Sequence, residues 1–179
     1  MPVPKNPKQR PKWLSILVIL IAVILMVWRI SNFASIPVKN PGAYPQAAIE
    51  LLKNSGVNGN LAVHFDWGDY AIWHLTPGIK VSLDTRREMA YSEEIYKINV
   101  RYLTGVGDWA ALLDDYPTMM ALVKKDSAND NLMQQRTDWE LIYQDEVSSL
   151  YARKGTSQAN QLRGYAELFQ TPDEDLEFP

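Results

Sequence analysis

The stretch from Asn60 to Asp84, NLAVHFDWGDYAIWHLTPGIKVSLD, holds two short apolar runs, LAVHF and IKVSL, each closed by an aspartate. Apolar runs of this length between polar turns read as buried strands. WGDYAIWHL reads as a short helix and TPG as a turn. Strand, helix and strand in that order predict a parallel pair joined by a right-handed crossover.

The pattern continues outward on both sides. Upstream, QAAIELLKNSG has helical spacing at Ala48, Ile49, Leu51 and Leu52, with Gly56 as a stop. Downstream, YSEEIYKINVRYL is a helix ended by GVGD, WAALLDDY a short helix and TMMALVKK a third strand. Ser127 or Asn129 opens a helix within SANDNLMQQR. WELIYQD and SSLYARK alternate around an acidic turn, as in a hairpin. The predicted class is α/β: a small mixed, mainly parallel sheet with helices on both faces and a C-terminal antiparallel hairpin. This domain is expected over residues 45–154, enough chain for its own core. Residues 155–179 are polar, with one weakly helical patch at QANQLRGYAELF, and end in acidic residues, so a tail with little fixed structure is expected there.

Charge divides the 179-residue chain. The first thirty residues carry only Lys5, Lys8, Arg10, Lys12 and Arg29. Removing those five from 18 leaves 13 basic residues against all 21 acidic ones beyond residue 30, a net charge of about −8. A body so acidic argues against nucleic acid as a partner, because the phosphate backbone needs a basic surface. No cysteine occurs, which excludes disulfides, thiolate nucleophiles and Cys-based zinc sites.

Between Trp13 and Trp28 the only polar residue is Ser15. Sixteen helical residues rise about 24 Å, and Ile30, with Arg29 snorkelling to the headgroups, brings the span near the roughly 30 Å hydrocarbon core. RISNFASIP offers no good small-residue cleavage site, so an uncleaved anchor is expected rather than a signal peptide. The expected organisation is a basic cytoplasmic tail (1–12), a transmembrane helix in the lipid bilayer (13–30), an extended linker (31–44), the α/β domain and the tail. The excess of positive charge before the span places the N-terminus in the cytoplasm and the domain outside the cell membrane.

If the two runs are adjacent parallel strands, Asp66 and Asp84 both stand at carboxyl ends, the edge where open α/β sheets bind ligands. His64 points to the same side as Asp66, and Arg86 and Arg87 follow Asp84. Two carboxylates and a histidine could bind a divalent metal or divide acid and base roles. The arginines could grip a phosphate or carboxylate. Against this stands a structural reading: Asp66 caps the helix near Gly68, Asp84 pairs with Arg86 or caps the next helix, and His64 is a core residue. Trp67, Tyr70 and Trp73 could form a sugar-stacking face or simply pack. The candidate ligand-binding set is His64, Asp66, Trp67, Tyr70, Asp84, Arg86 and Arg87. No metal or other cofactor is expected. GVG at 105–107 follows a helix and supports no dinucleotide site, and the acidic run at 173–175 reads as solvated charge. No P-loop, H-E-x-x-H, nucleophile elbow or N-glycosylation acceptor occurs.

The run Asp66-Trp67-Gly68-Asp69-Tyr70-Ala71-Ile72-Trp73, followed by Lys80-Val81-Ser82-Leu83-Asp84-Thr85-Arg86, resembles a segment in the soluble C-terminal domain of bacterial protein mannosyltransferases and related polytopic transferases that use polyprenyl-phosphate sugars. The similar pattern there is Trp-Gly-Gly-Tyr-Leu-x-Trp and then Lys-Val-Phe-Ile-Asp-Gly-Arg. Here Asp69 and Thr85 stand in place of two glycines. The resemblance extends over about residues 41–154 and implies an extracytoplasmic α/β domain. It carries over no catalytic residue, because that family's catalytic acids lie in a multi-helix membrane region without counterpart here. The expected function is an accessory or split subunit of a membrane glycosyltransferase-like system, binding a glycan, a lipid-linked sugar or a multi-span partner protein. The alternatives are a stand-alone metal-assisted hydrolase or transferase at Asp66 and Asp84, or a truncated remnant without function.

Overall fold

The computed structural model describes residues 12–33 and 44–170. The expected basic tail before residue 12, most of the linker, residues 171–179 and the side chain of Arg87 lie outside the described residues. The chain divides into two compact units, Met1–Pro41 and Gly42–Pro179.

In the first unit, helix α1 runs from Lys12 to Phe33, 22 residues. Its side chains from Trp13 to Arg29 are exposed on every face. Counted over the described residues, no helix is long and apolar enough to cross a membrane; the side chains described in α1 stop at Arg29, while its helical backbone continues to Phe33.

The second unit contains helix α2 (Gln46–Asn54), strand β1 (Gly59–Val63), a 3-10 turn (Phe65–Trp67), helix α3 (Gly68–Leu75) and strand β2 (Ile79–Val81). Helices α4 (Arg87–Ala90), α5 (Glu93–Thr104) and α6 (Ala111–Asp114) lead to strand β3 (Thr118–Lys124). Helix α7 (Ala128–Met133), strands β4 (Trp139–Gln144) and β5 (Ser148–Arg153), and helix α8 (Ser157–Gln170) complete it.

The strands form one mixed sheet in the order β2-β1-β3-β5-β4. β1 pairs parallel with β2 and with β3, whereas β3–β5 and β5–β4 are antiparallel. The expectation of a mainly parallel sheet is therefore corrected: parallel and antiparallel pairings are equal in number. The hairpin docks its second strand, β5, onto β3, which adds an antiparallel pair in the sheet interior as well as the one at the edge.

Strand alternation divides the core between two faces. Leu61, Val63, Met120, Leu122 and Leu150 pack against Leu51 and Leu52 of α2, Ala71 of α3 and Leu162 of α8. Ala62, Ala121, Val123 and Tyr151 face the other way, against Tyr102 of α5, Leu112 and Leu113 of α6, and Met133 of α7. Local signals set the helix ends. Ser92 accepts a hydrogen bond from the Ile95 N–H to start α5, and Gly105, at φ +69°, stops it in the left-handed region. Ser127 opens α7 by accepting from the Asp130 N–H.

The expectation of a poorly structured segment from 155 onward is corrected over α8. Ala159, Leu162 and Ala166 recur at helical spacing and are buried on the first face. Polar residues secure the same helix: Gln161 Nε2 donates to the Ser55 carbonyl (2.6 Å) and Gln158 Nε2 to that of Asn58 (3.1 Å).

Candidate ligand site at the carboxyl edge of the sheet

β1 ends at Val63, one residue before the expected histidine of the strand. His64 leaves the sheet in an extended conformation, and its Nδ1 accepts the Asp66 N–H at 3.3 Å, capping the 3-10 turn. Burial, with Lys124 as a second cause, lowers the His64 pKa against the opposing pull of Asp66. The ring is thus neutral at pH 7 with its proton on Nε2. Its 3.6 Å approach to the Asp66 carboxylate is accordingly not an ion pair. Asp66 is exposed and receives Lys124 Nζ at 3.0 Å. The helix-capping role expected of Asp66 belongs to His64 instead, and α3 itself has no side-chain cap.

Trp67 is buried in the first core face, so it offers no stacking surface. Tyr70 is half-buried between Tyr44 (ring centroids 5.1 Å apart) and His74 (4.5 Å). Trp73 is 84% exposed. The three aromatic residues expected to share a face have three different environments.

Asp84 lies beyond the end of β2, fully buried. Its Oδ1 accepts from the Arg86 N–H (2.8 Å) and Nε (3.0 Å); its Oδ2 accepts from Arg86 Nη2 (2.6 Å) and the Tyr91 hydroxyl (2.8 Å). Hydrogen bonding by Arg86 outweighs burial and holds the carboxyl down at about 2. Burial, followed by the bond to Asp84, pushes Tyr91 up to about 12. The turn is seated directly on α3: a Cβ on Gly68 would stand 2.2 Å from the Leu83 carbonyl oxygen, so only glycine allows this approach. Thr85 donates to Asp69 Oδ2 at 2.6 Å. The two residues that replace glycines in the resembled pattern are thus hydrogen-bonded to each other.

Asp66 and Asp84 therefore belong to separate structures. Asp84 has four donors on its two oxygens and closes a turn, whereas Asp66 faces solvent. Among the described residues, no group of three or more His, Asp or Glu is placed to hold a metal ion.

A concave site is present beside Asp66. From β1 the chain passes through α3 to β2 on one side, while β3 lies on the other, so the strand order reverses between β1 and β3. At the carboxyl ends of these two strands is a crevice of about 490 Å³, lined by Asp66 and Trp67 after β1, Lys124 and Lys125 at the end of β3, Glu146 and Val147 of the hairpin turn, and Tyr44. Such a reversal leaves the adjoining loops splayed apart and is where open α/β sheets bind ligands. The Lys125 N–H donates to the Val147 carbonyl (3.1 Å), and Asp145 Oδ1 accepts the Val147 and Ser148 N–H groups, fixing the hairpin wall. A smaller apolar cleft of about 170 Å³ lies by Val81, Ile95 and Leu112.

Of the expected site residues, Asp66 and Trp67 line the crevice, and His64 supports its floor through the Asp66 N–H. Tyr70 backs Tyr44, and Asp84 and Arg86 form the neighbouring turn. Sequence reasoning missed Tyr44, Lys124, Lys125 and Glu146. The two lysines close the third apolar run, TMMALVKK, at the same carboxyl edge used to single out Asp66. Comparison with protein-family models, with curated proteins and with solved structures found no match.

Proposed function

We propose that the chain is a membrane-tethered binding module: α1 spans the bilayer, and the α/β domain, held outside, receives a glycan or the sugar of a lipid-linked saccharide in the β1/β3 crevice. In this reading it serves as the accessory or split subunit of a membrane glycosyltransferase-like system. The observation that carries the binding role is the crevice itself, at the reversal of strand order and lined by four charged side chains and Tyr44. Support for the anchor comes from the 22-residue helix, whose rise is about 33 Å against a hydrocarbon core of about 30 Å. An apolar surface on every side of a helix suits lipid rather than water. The basic residues preceding the helix favour a cytoplasmic N-terminus, and the resemblance of residues 41–154 to an extracytoplasmic transferase domain agrees with that orientation.

A metal-assisted reaction at Asp66 and Asp84 has less support, since Asp84 is closed off by Arg86 and Tyr91. The test is saccharide binding by the full-length protein in mild detergent, followed by saturation-transfer NMR across a panel of oligosaccharides. Binding weakened at least tenfold by Tyr44→Ala, with an unchanged melting temperature, is the expected result. A wild-type protein that binds no saccharide in the panel would sink the reading.

A further inference from the structure

The crevice has a charge arrangement that points to one class of ligand. Lys125 has no side-chain partner among the described residues, although its backbone is pinned to Val147. Lys124 has Asp66 as its counter-ion, and this pair is open to water, with 43% of the lysine and 59% of the aspartate side chain exposed. Half-exposed pairs of this kind contribute little to stability, so either partner exchanges readily. The lysine ammonium also lies 6.0 Å from the centre of the Trp67 ring, whose apolar surface lowers the local dielectric. Glu146 stands on the hairpin turn across the crevice and is exposed. In a body with a net charge of about −8, this concave edge is charge-balanced, two consecutive lysines standing against Asp66 and Glu146, so displacing Asp66 leaves the lysines in excess there.

We infer that the crevice recognises an oxyanion on its ligand, a phosphate or carboxylate carried by the saccharide, through Lys124 and Lys125, with Asp66 as the built-in counter-ion that the ligand displaces. This rests on the binding-module reading and specifies its ligand. An oxyanion between the two ammonium groups accepts a charge-assisted hydrogen bond from each, while Asp66 turns out to solvent. Asp66 thereby sets a threshold: it keeps Lys124 in place in the empty crevice and competes with weakly binding anions.

The chain has two histidines, His64 and His74, and one of them reports on the site. Lys124 lowers and Asp66 raises the His64 pKa, so an anion that displaces Asp66 from Lys124 changes the charges around the His64 ring and perturbs its resonances. His74 lies at the far end of α3 and serves as the comparison.

The experiment uses the full chain in phosphatidylcholine nanodiscs, with the imidazole resonances followed by NMR at constant ionic strength. The probes are inorganic phosphate, glucuronate and a neutral trisaccharide. A saturable shift of His64 with phosphate or glucuronate is expected; the stronger of the two identifies phosphate or carboxylate as the source of the oxyanion. Asp66→Asn should tighten anion binding at least threefold, and Lys125→Gln should weaken it about tenfold, with both variants melting as the wild type does. Response to the trisaccharide but to neither anion overturns the oxyanion inference and leaves the binding-module reading standing. Response to none of the three overturns both. Anion binding indifferent to Asp66→Asn and Lys125→Gln overturns the inference by placing the anion elsewhere.

Discussion

Asp84 shows how a single carboxylate can look catalytic in sequence and be structural in space. A buried charge is tolerated only when its lone pairs are occupied, and Arg86 and Tyr91 occupy those of Asp84. Replacing Asp84 by Asn removes the charge that Arg86 is folded around, and should cost about 2 kcal/mol in urea unfolding at pH 6. The acid limb of stability should change as well. With its folded pKa depressed from 3.8 to about 2, the stabilisation from Asp84 is fully present above pH 3.8 and is lost as the pH falls towards 2. Urea midpoints measured at steps across that window should fall less steeply for Asp84→Asn than for the wild type; parallel curves would mean that Asp84 carries no such linkage. The Asp84–Arg86 pair was legible in the sequence because the partners are two positions apart. Asp66 was not, because Lys124 is 58 residues away and because a histidine took over the capping bond.

At the scale of elements, hydrophobic period identified those whose apolar residues are large. The run TMMALVKK and the hairpin fall within a residue of where the pattern placed them, whereas LAVHF is a strand only through Val63. The run IKVSLD was expected to be a strand through Asp84 but ends at Val81, because the close approach to Gly68 turns Leu83 and Asp84 out of the ladder. α8 showed only as a weakly helical patch, and its packing on the core went unread, because its fully buried stripe is narrow, two alanines and one leucine among glutamines and charges. Leu162 is the largest of the three and is fully buried. Leu162→Ala should therefore destabilise the domain by about 3 kcal/mol, read from urea or thermal unfolding; a loss under 1 kcal/mol would show that α8 is dispensable to the core.

For the whole molecule, alternation of strands and helices was enough to specify α/β, yet the position of β3 beside β1, and hence the crevice, depends on a choice of side that no local pattern encodes. The proposed orientation is testable because the chain lacks cysteine. Single Lys5→Cys and Gln135→Cys variants supply one thiol on either side of α1, the second on an exposed position of the domain. A membrane-impermeant maleimide applied to intact cells should label Gln135→Cys and leave Lys5→Cys unlabelled until lysis. The reverse pattern would place the domain in the cytoplasm.

The seam between α2 and α8 has a consequence in time. Ser55 and Asn58 receive side chains about a hundred residues later in the chain, from Gln161 and Gln158, and Ala48, Leu51 and Leu52 share a core face with Ala159 and Leu162. As the chain is synthesised from its N-terminus, at about 5–20 residues per second, α2 emerges many seconds before the helix that covers its neighbour's flank. Until residue 166 is out, the nascent domain presents an uncovered apolar strip. Completion of the fold is thus tied to the last helix described, and a ribosome that stalls before it releases a sticky intermediate instead of a shorter version of the domain.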